Sequence, residues 1–239
     1  MNTQVEPPRR GPSLILLHSI PMFAGVPDAQ LEQIAKVAFH RRVARQTTIV
    51  RAGESTDSLY VLISGSAKVL NSDEEGREVI LTLLGPGEFF GEMGLIDGSP
   101  RSADVMATET CELLVITKAD FIRCLSENFD LCLNIMKSLV QRLREADRNI
   151  ESLALMDVYG RVAKLLIDFS EDERGQHVIK RRLTKQDIAK MIGASREMVS
   201  RVMKDLENRG YFKVEGGRII IREKNIPSAP GNQATEADK

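Results

Sequence analysis

The chain has 239 residues, 42% of them hydrophobic and 28% charged, with a formal net charge of −1; this is the make-up of a globular protein with room for two modest cores. No apolar run approaches the roughly 20 residues of a spanning helix, and the patch Leu14-Ile15-Leu16-Leu17 after Arg9-Arg10 is too short for a signal peptide, so a cytoplasmic location without a membrane partner is expected. Cys111, Cys124 and Cys132 lack CxxC spacing and His18, His40 and His177 stand far apart, so neither a disulfide framework nor a metal site is expected; no nucleophile-plus-base or Walker-type pattern points to an enzyme.

Residues 1–12 are polar and proline-rich and read as a loose tail. Residues 14–39 carry apolar side chains at helical spacing (Leu31, Ile34, Ala35, Val37, Ala38), with Pro27-Asp28 as a start signal. From about residue 42 to 117 the period changes. Short segments rich in β-branched residues (47–50, 58–63, 66–70, 78–84, 103–107 and 111–116) are separated by turn signals such as Ser64-Gly65 and Gly85-Pro86-Gly87. The pattern predicts an all-β barrel or sandwich.

One stretch of that domain, FFGEMGLIDGSPRSA, carries chemistry. A short helix starting near Gly91 would aim free N–H groups at an anion. Arg101 can neutralise a phosphate with a forked pair of hydrogen bonds, and Ser102 can add a hydroxyl. Glu92 suits a sugar hydroxyl better than an anion. Phosphate plus ribose means a nucleotide, although glycine–acid pairs also serve ordinary turns.

A long helix is predicted over residues 118–154. Met136, Leu139, Leu143, Ala146, Ile150 and Leu153 alternate in steps of three and four, a heptad seam suited to a parallel homodimer. A further amphipathic helix over 157–169 and a polar loop over 170–175 follow. Residues 183–210 then read as two short helices with a break at Gly193-Ala194. Thr184 and Ser195 are the N-caps, Asp187 completes a capping box, and Ile188, Ala189, Met191 and Ile192 face Val199, Val202, Met203 and Leu206. This leaves Arg196, Glu197, Ser200 and Arg201 on the outer, N-terminal face of the second helix, the part that a helix-turn-helix places in the DNA major groove. Arginine can fork onto guanine and glutamate can accept from cytosine. Tyr211 to Ile221, turning at Glu215-Gly216-Gly217-Arg218, predicts a wing hairpin. Residues 180–224 hold 13 Lys and Arg against 6 Asp and Glu, a local charge of +7 in a chain of −1; this concentration is what phosphate binding needs. Residues 225–239 read as a disordered tail.

The order β-roll, long helix, winged helix resembles the cyclic-AMP receptor protein and fumarate–nitrate regulator (CRP/FNR) family of bacterial transcription factors. FFGEMGLIDGSPRSA resembles the family's phosphate-binding cassette, GASREMVSRVMKDLE its helix-turn-helix, and SLALMDVYGRVAKLL the junction between dimer helix and DNA-binding domain. The resemblance implies an α+β fold: a cyclic-nucleotide-binding β-roll over 13–117, a dimerisation helix and hinge over 118–156, and a winged helix-turn-helix over 157–224. It implies that Gly91 and Ser102 bond a cyclic phosphate, Arg101 pairs with its charge and Glu92 holds the ribose, with Met93 beside them. Substitution of Arg101 by Ala is expected to abolish the nucleotide response and leave the fold. On the DNA side it implies base reading by Arg196, Glu197 and Arg201, with Ser200 matching a serine of the oxygen-sensing branch, and Thr184, Ser195 and Lys204 as further DNA-side residues. No cysteine precedes Cys111, so the iron–sulfur mode of that branch is not expected. Where the cyclic-AMP receptor protein places threonine and serine against adenine, this chain has Ala146 and Asp147. Asp147 can accept from an exocyclic amine and Ala146 cannot. The phosphate half of the pocket matches the family and the base-reading half departs from it, so the expected effector is cyclic AMP bound differently, with cyclic GMP, cyclic di-GMP or ligand-independent action as alternatives. Double-stranded DNA at a palindromic site, a second copy of the chain and RNA polymerase are the expected partners.

Overall fold

The computed structural model describes residues 11–181 and 183–222. The tails expected over 1–12 and 225–239 lie outside the described residues, residues 11 and 12 excepted. The chain divides into two compact units, with the division after Leu143.

The first unit opens with α1 (Leu14–His18), capped by the Ser13 side chain, a 3-10 turn at Pro21–Phe23, and α2 (Asp28–Val37). Eight strands follow: β1 (Phe39–Val43), β2 (Thr48–Val50), β3 (Ser58–Ser64), β4 (Ala67–Ser72), β5 (Glu78–Leu84), β6 (Phe89–Phe90), β7 (Asp104–Ala107) and β8 (Cys111–Thr117), with α3 (Met93–Asp97) between β6 and β7. They form two antiparallel four-stranded sheets, ordered β1-β8-β3-β6 and β2-β7-β4-β5. Two of these strands are absent from the sequence reading. β1 is an edge strand of sequence FHRRV whose only fully buried residue is Val43, and β6 has two residues; neither is long or alternating enough to show a period of two.

Side-chain alternation explains why the first sheet reads as continuous apolar runs. In β3, Leu59 and Val61 face the helices while Tyr60 and Leu62 face the second sheet; in β8, Leu114 and Ile116 oppose Leu113 and Val115 in the same way. Phe89 and Phe90 of β6 likewise divide between the two cores. A sheet covered on both faces needs apolar residues at every position.

The single helix predicted over 118–154 is two helices. α4 (Lys118–Glu127) is capped by Thr117, and α5 runs Phe129–Leu155. Asn128 between them is extended (φ −137°, ψ 100°). The break lets α4 bury Phe121 and Cys124, and α5 bury Leu131 and Ile135, in one core. Leu139, placed in the dimer seam by sequence, packs on that core too. The exposed apolar stripe of α5 is Met136, Val140, Leu143, Ile150 and Leu153.

In the second unit α6 (Val158–Asp168) is capped by Asp157, which accepts from the Gly160 N–H at 2.8 Å. The expected polar loop over 170–175 instead contains a strand: β9 (Glu171–Glu173) pairs with β10 (Gln176–Ile179). The sequence of β9, EDE, does not announce a strand, and its ladder is supplied by β10. α7 (Lys185–Ile192), α8 (Arg196–Asn208), β11 (Phe212–Glu215) and β12 (Arg218–Ile221) complete the unit, whose sheet runs β11-β12-β10-β9. Gly216 and Gly217 both have positive φ (57° and 80°), as a two-residue hairpin loop of the I′ kind requires. Val162, Leu166, Ile188, Ile192, Val199, Met203, Leu206 and Phe212 form one core.

Candidate functional site

In the first unit, β6, α3 and the segment leading into β7 bring Gly91, Glu92, Met93, Arg101 and Ser102 together. Gly91 adopts φ +85°, and a Cβ there would stand 2.2 Å from the Arg101 Nη1 and 3.1 Å from the Ser58 carbonyl oxygen. Glycine is thus needed both for its backbone conformation and for the approach of Arg101. Arg101 is 7% exposed. Its Nη1 donates to the Gly91 carbonyl at 2.9 Å and its Nη2 to the Ser58 carbonyl at 2.7 Å, with the Asp57 carboxylate 3.4 Å from Nη2. The guanidinium also lies 5.7 Å from the centroid of the Tyr60 ring, itself stacked on Phe90. Arg101 is therefore part of the wall as well as a charge. An alanine there removes two carbonyl partners, so the expectation that the fold would be untouched is revised. Ser102 is exposed; among the described residues its hydroxyl meets the Met93 sulfur alone, at 3.8 Å. The N-terminus of α3 carries no side-chain cap.

Glu92 is 2% exposed and paired with Arg142, whose Nη1 stands 2.9 Å from Oε1. Arg142 also donates to the Phe89 carbonyl and lies over the Phe89 ring, 4.8 Å from its centroid. Arg142 is not among the residues that the sequence singles out. One pattern could have found it. Leu131, Ile135, Leu139 and Arg142 follow in steps of four, four and three, so Arg142 continues the stripe that faces the β-domain. Asp147 lies further along α5 in the second unit and is exposed.

In the second unit the helix-turn-helix is fixed by its own polar groups. Thr184 and Asp187 form the capping box of α7, and the Ser195 hydroxyl accepts from the Met198 N–H at 3.2 Å to cap α8. Arg161 of α6 donates to the Ile192 carbonyl at 2.8 Å, closing the end of α7 before Gly193. The hydroxyls of Thr184 and Ser195 are thus committed to helix ends. Arg196, Glu197, Arg201 and Lys204 are exposed. Ser200 is half-buried and accepts from Lys185 Nζ at 3.1 Å, so it holds a lysine of α7 against the outer face of α8. Lys185 was not singled out from sequence; its place at the first residue of α7, beside its cap, was the available signal.

No helix of the described residues is long and apolar enough to cross a membrane, and among them no group of three or more His, Cys, Asp or Glu could hold a metal ion.

Residues 40–128 match the cyclic nucleotide-binding domain family, and residues 160–225 match the Crp-like helix-turn-helix domain family. The cAMP-activated global transcriptional regulator CRP of Pasteurella multocida is 35% identical over 198 residues, covering 81% of this chain and 95% of that protein. The cAMP-activated regulator Vfr of Pseudomonas aeruginosa is 35% identical over 202 residues, covering 80% and 94%. Among solved structures, the c-di-GMP-responsive global regulator CLP of Xanthomonas campestris is similar with a TM-score of 0.69 and 29% identity, covering 82% of this chain and all of that one.

Proposed function

The chain belongs to the CRP/FNR family of bacterial DNA-binding transcription regulators and carries that family's cyclic nucleotide-binding domain, and on that premise we propose that it is a homodimer switched by a cyclic nucleotide. The observation that carries this reading is the buried Arg101 guanidinium held by the Gly91 carbonyl, with Glu92, Met93 and Ser102 on the adjoining segments and a helix end without a side-chain cap beside them. Arg101 and Ser102 take the phosphate, Gly91 lets the wall close on it, Glu92 takes the ribose hydroxyl, Met93 lies beside them, and Asp147 is an acceptor for the base.

The exposed apolar stripe of α5 is the surface two copies bury against each other, since Met136, Leu143 and Ile150 recur every seven residues, with Val140 and Leu153 between and after them, as the seam of a coiled coil does. The dimer then presents two copies of α8 to a palindromic site, read by Arg196, Glu197 and Arg201 with Lys204 on the backbone. Domain limits of 13–117, 118–156 and 157–224 divide these roles. The protein works in the cytoplasm with RNA polymerase as its partner and catalyses no reaction. An effector shifts the equilibrium only by binding the DNA-competent arrangement more tightly than the other.

Cyclic AMP is the first candidate effector, from the relatives that it activates. Cyclic di-GMP is the second, from the CLP neighbour, and Asp147 in place of a hydroxyl residue favours a base with more N–H donors. Calorimetric titration of the full chain with cyclic AMP, cyclic GMP and cyclic di-GMP tests this. One saturable site per chain, weakened in Ser102→Ala, supports it; no heat from any of the three points to ligand-independent control.

A further inference from the structure

The outer face of α8 carries one residue that charge recognition does not use. Met198 is 40% exposed, in the first turn of the helix, between the exposed Glu197 and the buried Val199. Its backbone N–H is taken by the Ser195 hydroxyl, which fixes its position in the turn. Arg201 stands three residues on, so the two side chains share a face. Arg196, Glu197, Arg201 and Lys204 are exposed charges of the same helix. An apolar side chain in this setting gains nothing from phosphates. In the major groove the apolar feature of the base edges is the C5 methyl of thymine, and the unbranched thioether of methionine adapts readily to such a contact.

We propose that Met198 reads a thymine methyl in each half-site, next to the base pair read by Arg201. The proposal rests on the DNA-binding reading above and adds a specificity-determining residue to it. It makes the half-site require thymine, and not merely an A·T pair in either orientation, at one position.

The test uses the full-length protein and the duplex it enriches most strongly from a randomised pool, selected with and without cyclic AMP. Each thymine of one half-site is replaced in turn by uracil, which removes only the methyl group. Wild type is expected to lose about fourfold in affinity at one thymine, the worth of one buried methyl or methylene group. Met198→Ala is expected to bind thymine and uracil equally there while retaining the penalties at other positions. Met198→Gln, which keeps the reach but not the apolar end, should behave in the same way. Unchanged melting temperatures of both variants establish that the fold is retained. The proposal is overturned if the uracil penalties are the same in wild type and Met198→Ala, or if the enriched half-site holds no thymine. If no duplex is enriched under either condition, the DNA-binding reading fails first and takes the proposal with it.

Discussion

Removal of Arg142 should cost the first unit more than removal of any exposed charge, because it strands Glu92. Breaking a buried ion pair from one side costs about 3–5 kcal/mol, whereas an exposed pair is worth about 0–1 kcal/mol. Glu92 has a side chain 3% exposed and Arg142 one 31% exposed, which places the pair between these limits, at about 2 kcal/mol. The contact of the guanidinium with the Phe89 ring adds about 0.5–1 kcal/mol. Arg142→Ala is therefore expected to destabilise by about 3 kcal/mol. In the Glu92→Gln background the same change should cost only about 1 kcal/mol, since a neutral amide is far easier to leave unpaired than a carboxylate. Urea titration followed by circular dichroism measures the four proteins, and hydrogen exchange at β6 and α3 localises the loss. Costs of Arg142→Ala that agree within about 0.5 kcal/mol in the two backgrounds would mean that the residues do not couple, and would refute the pairing.

Ser102→Ala leaves melting unchanged, because among the described residues the exposed hydroxyl meets only a sulfur. It should weaken nucleotide binding by about tenfold to a hundredfold, the worth of a hydrogen bond to a charged group; equal affinity in calorimetry would remove Ser102 from the site. Lys185→Ala should weaken DNA binding evenly across sequences and reduce the slope of log affinity against log salt by about 2, one phosphate per protomer of a dimer. An unchanged slope would show that the lysine held by Ser200 does not reach the backbone. Burial pushes the thiols of Cys111 and Cys124 up from their ordinary pKa and keeps them protonated. A thiol reagent at pH 8 should therefore modify at most Cys132 in the folded protein and all three cysteines after denaturation. Rapid modification of more than one native thiol would contradict this burial.

Much of the fold was legible because each unit keeps its own period. The capping box of α7, the Ser195 cap of α8, the break at Gly193 and the Gly216-Gly217 turn are local chemistry and could be read one by one. What escaped was set by tertiary neighbours. β1 is held by pairing with β8 and carries three charged or titratable residues in five, and β9 is held by pairing with β10. Asn128 falls inside the single helix predicted over 118–154, yet it ends α4 so that both helices bury one core. The cassette was visible as a motif, but its present bonding was not. Nothing in the spacing of Arg101 shows that it serves two carbonyls, and Arg142 is fifty positions from the Glu92 it neutralises. On the DNA side the exposed charges of α8 and the caps Thr184 and Ser195 were legible in the sequence, while the contact of Ser200 with Lys185 was not.

The most direct test of a nucleotide-gated regulator is the affinity of the full-length protein for its selected duplex, measured by fluorescence anisotropy at fixed salt. It is read without ligand and with cyclic AMP, cyclic GMP or cyclic di-GMP, for wild type and Ser102→Ala. The account requires one of these nucleotides to change wild-type affinity by at least about tenfold, a coupling in the usual allosteric range. It also requires more of that nucleotide for the same change in Ser102→Ala. Identical DNA affinity under all four conditions would contradict gating and leave a regulator whose nucleotide domain serves architecture alone.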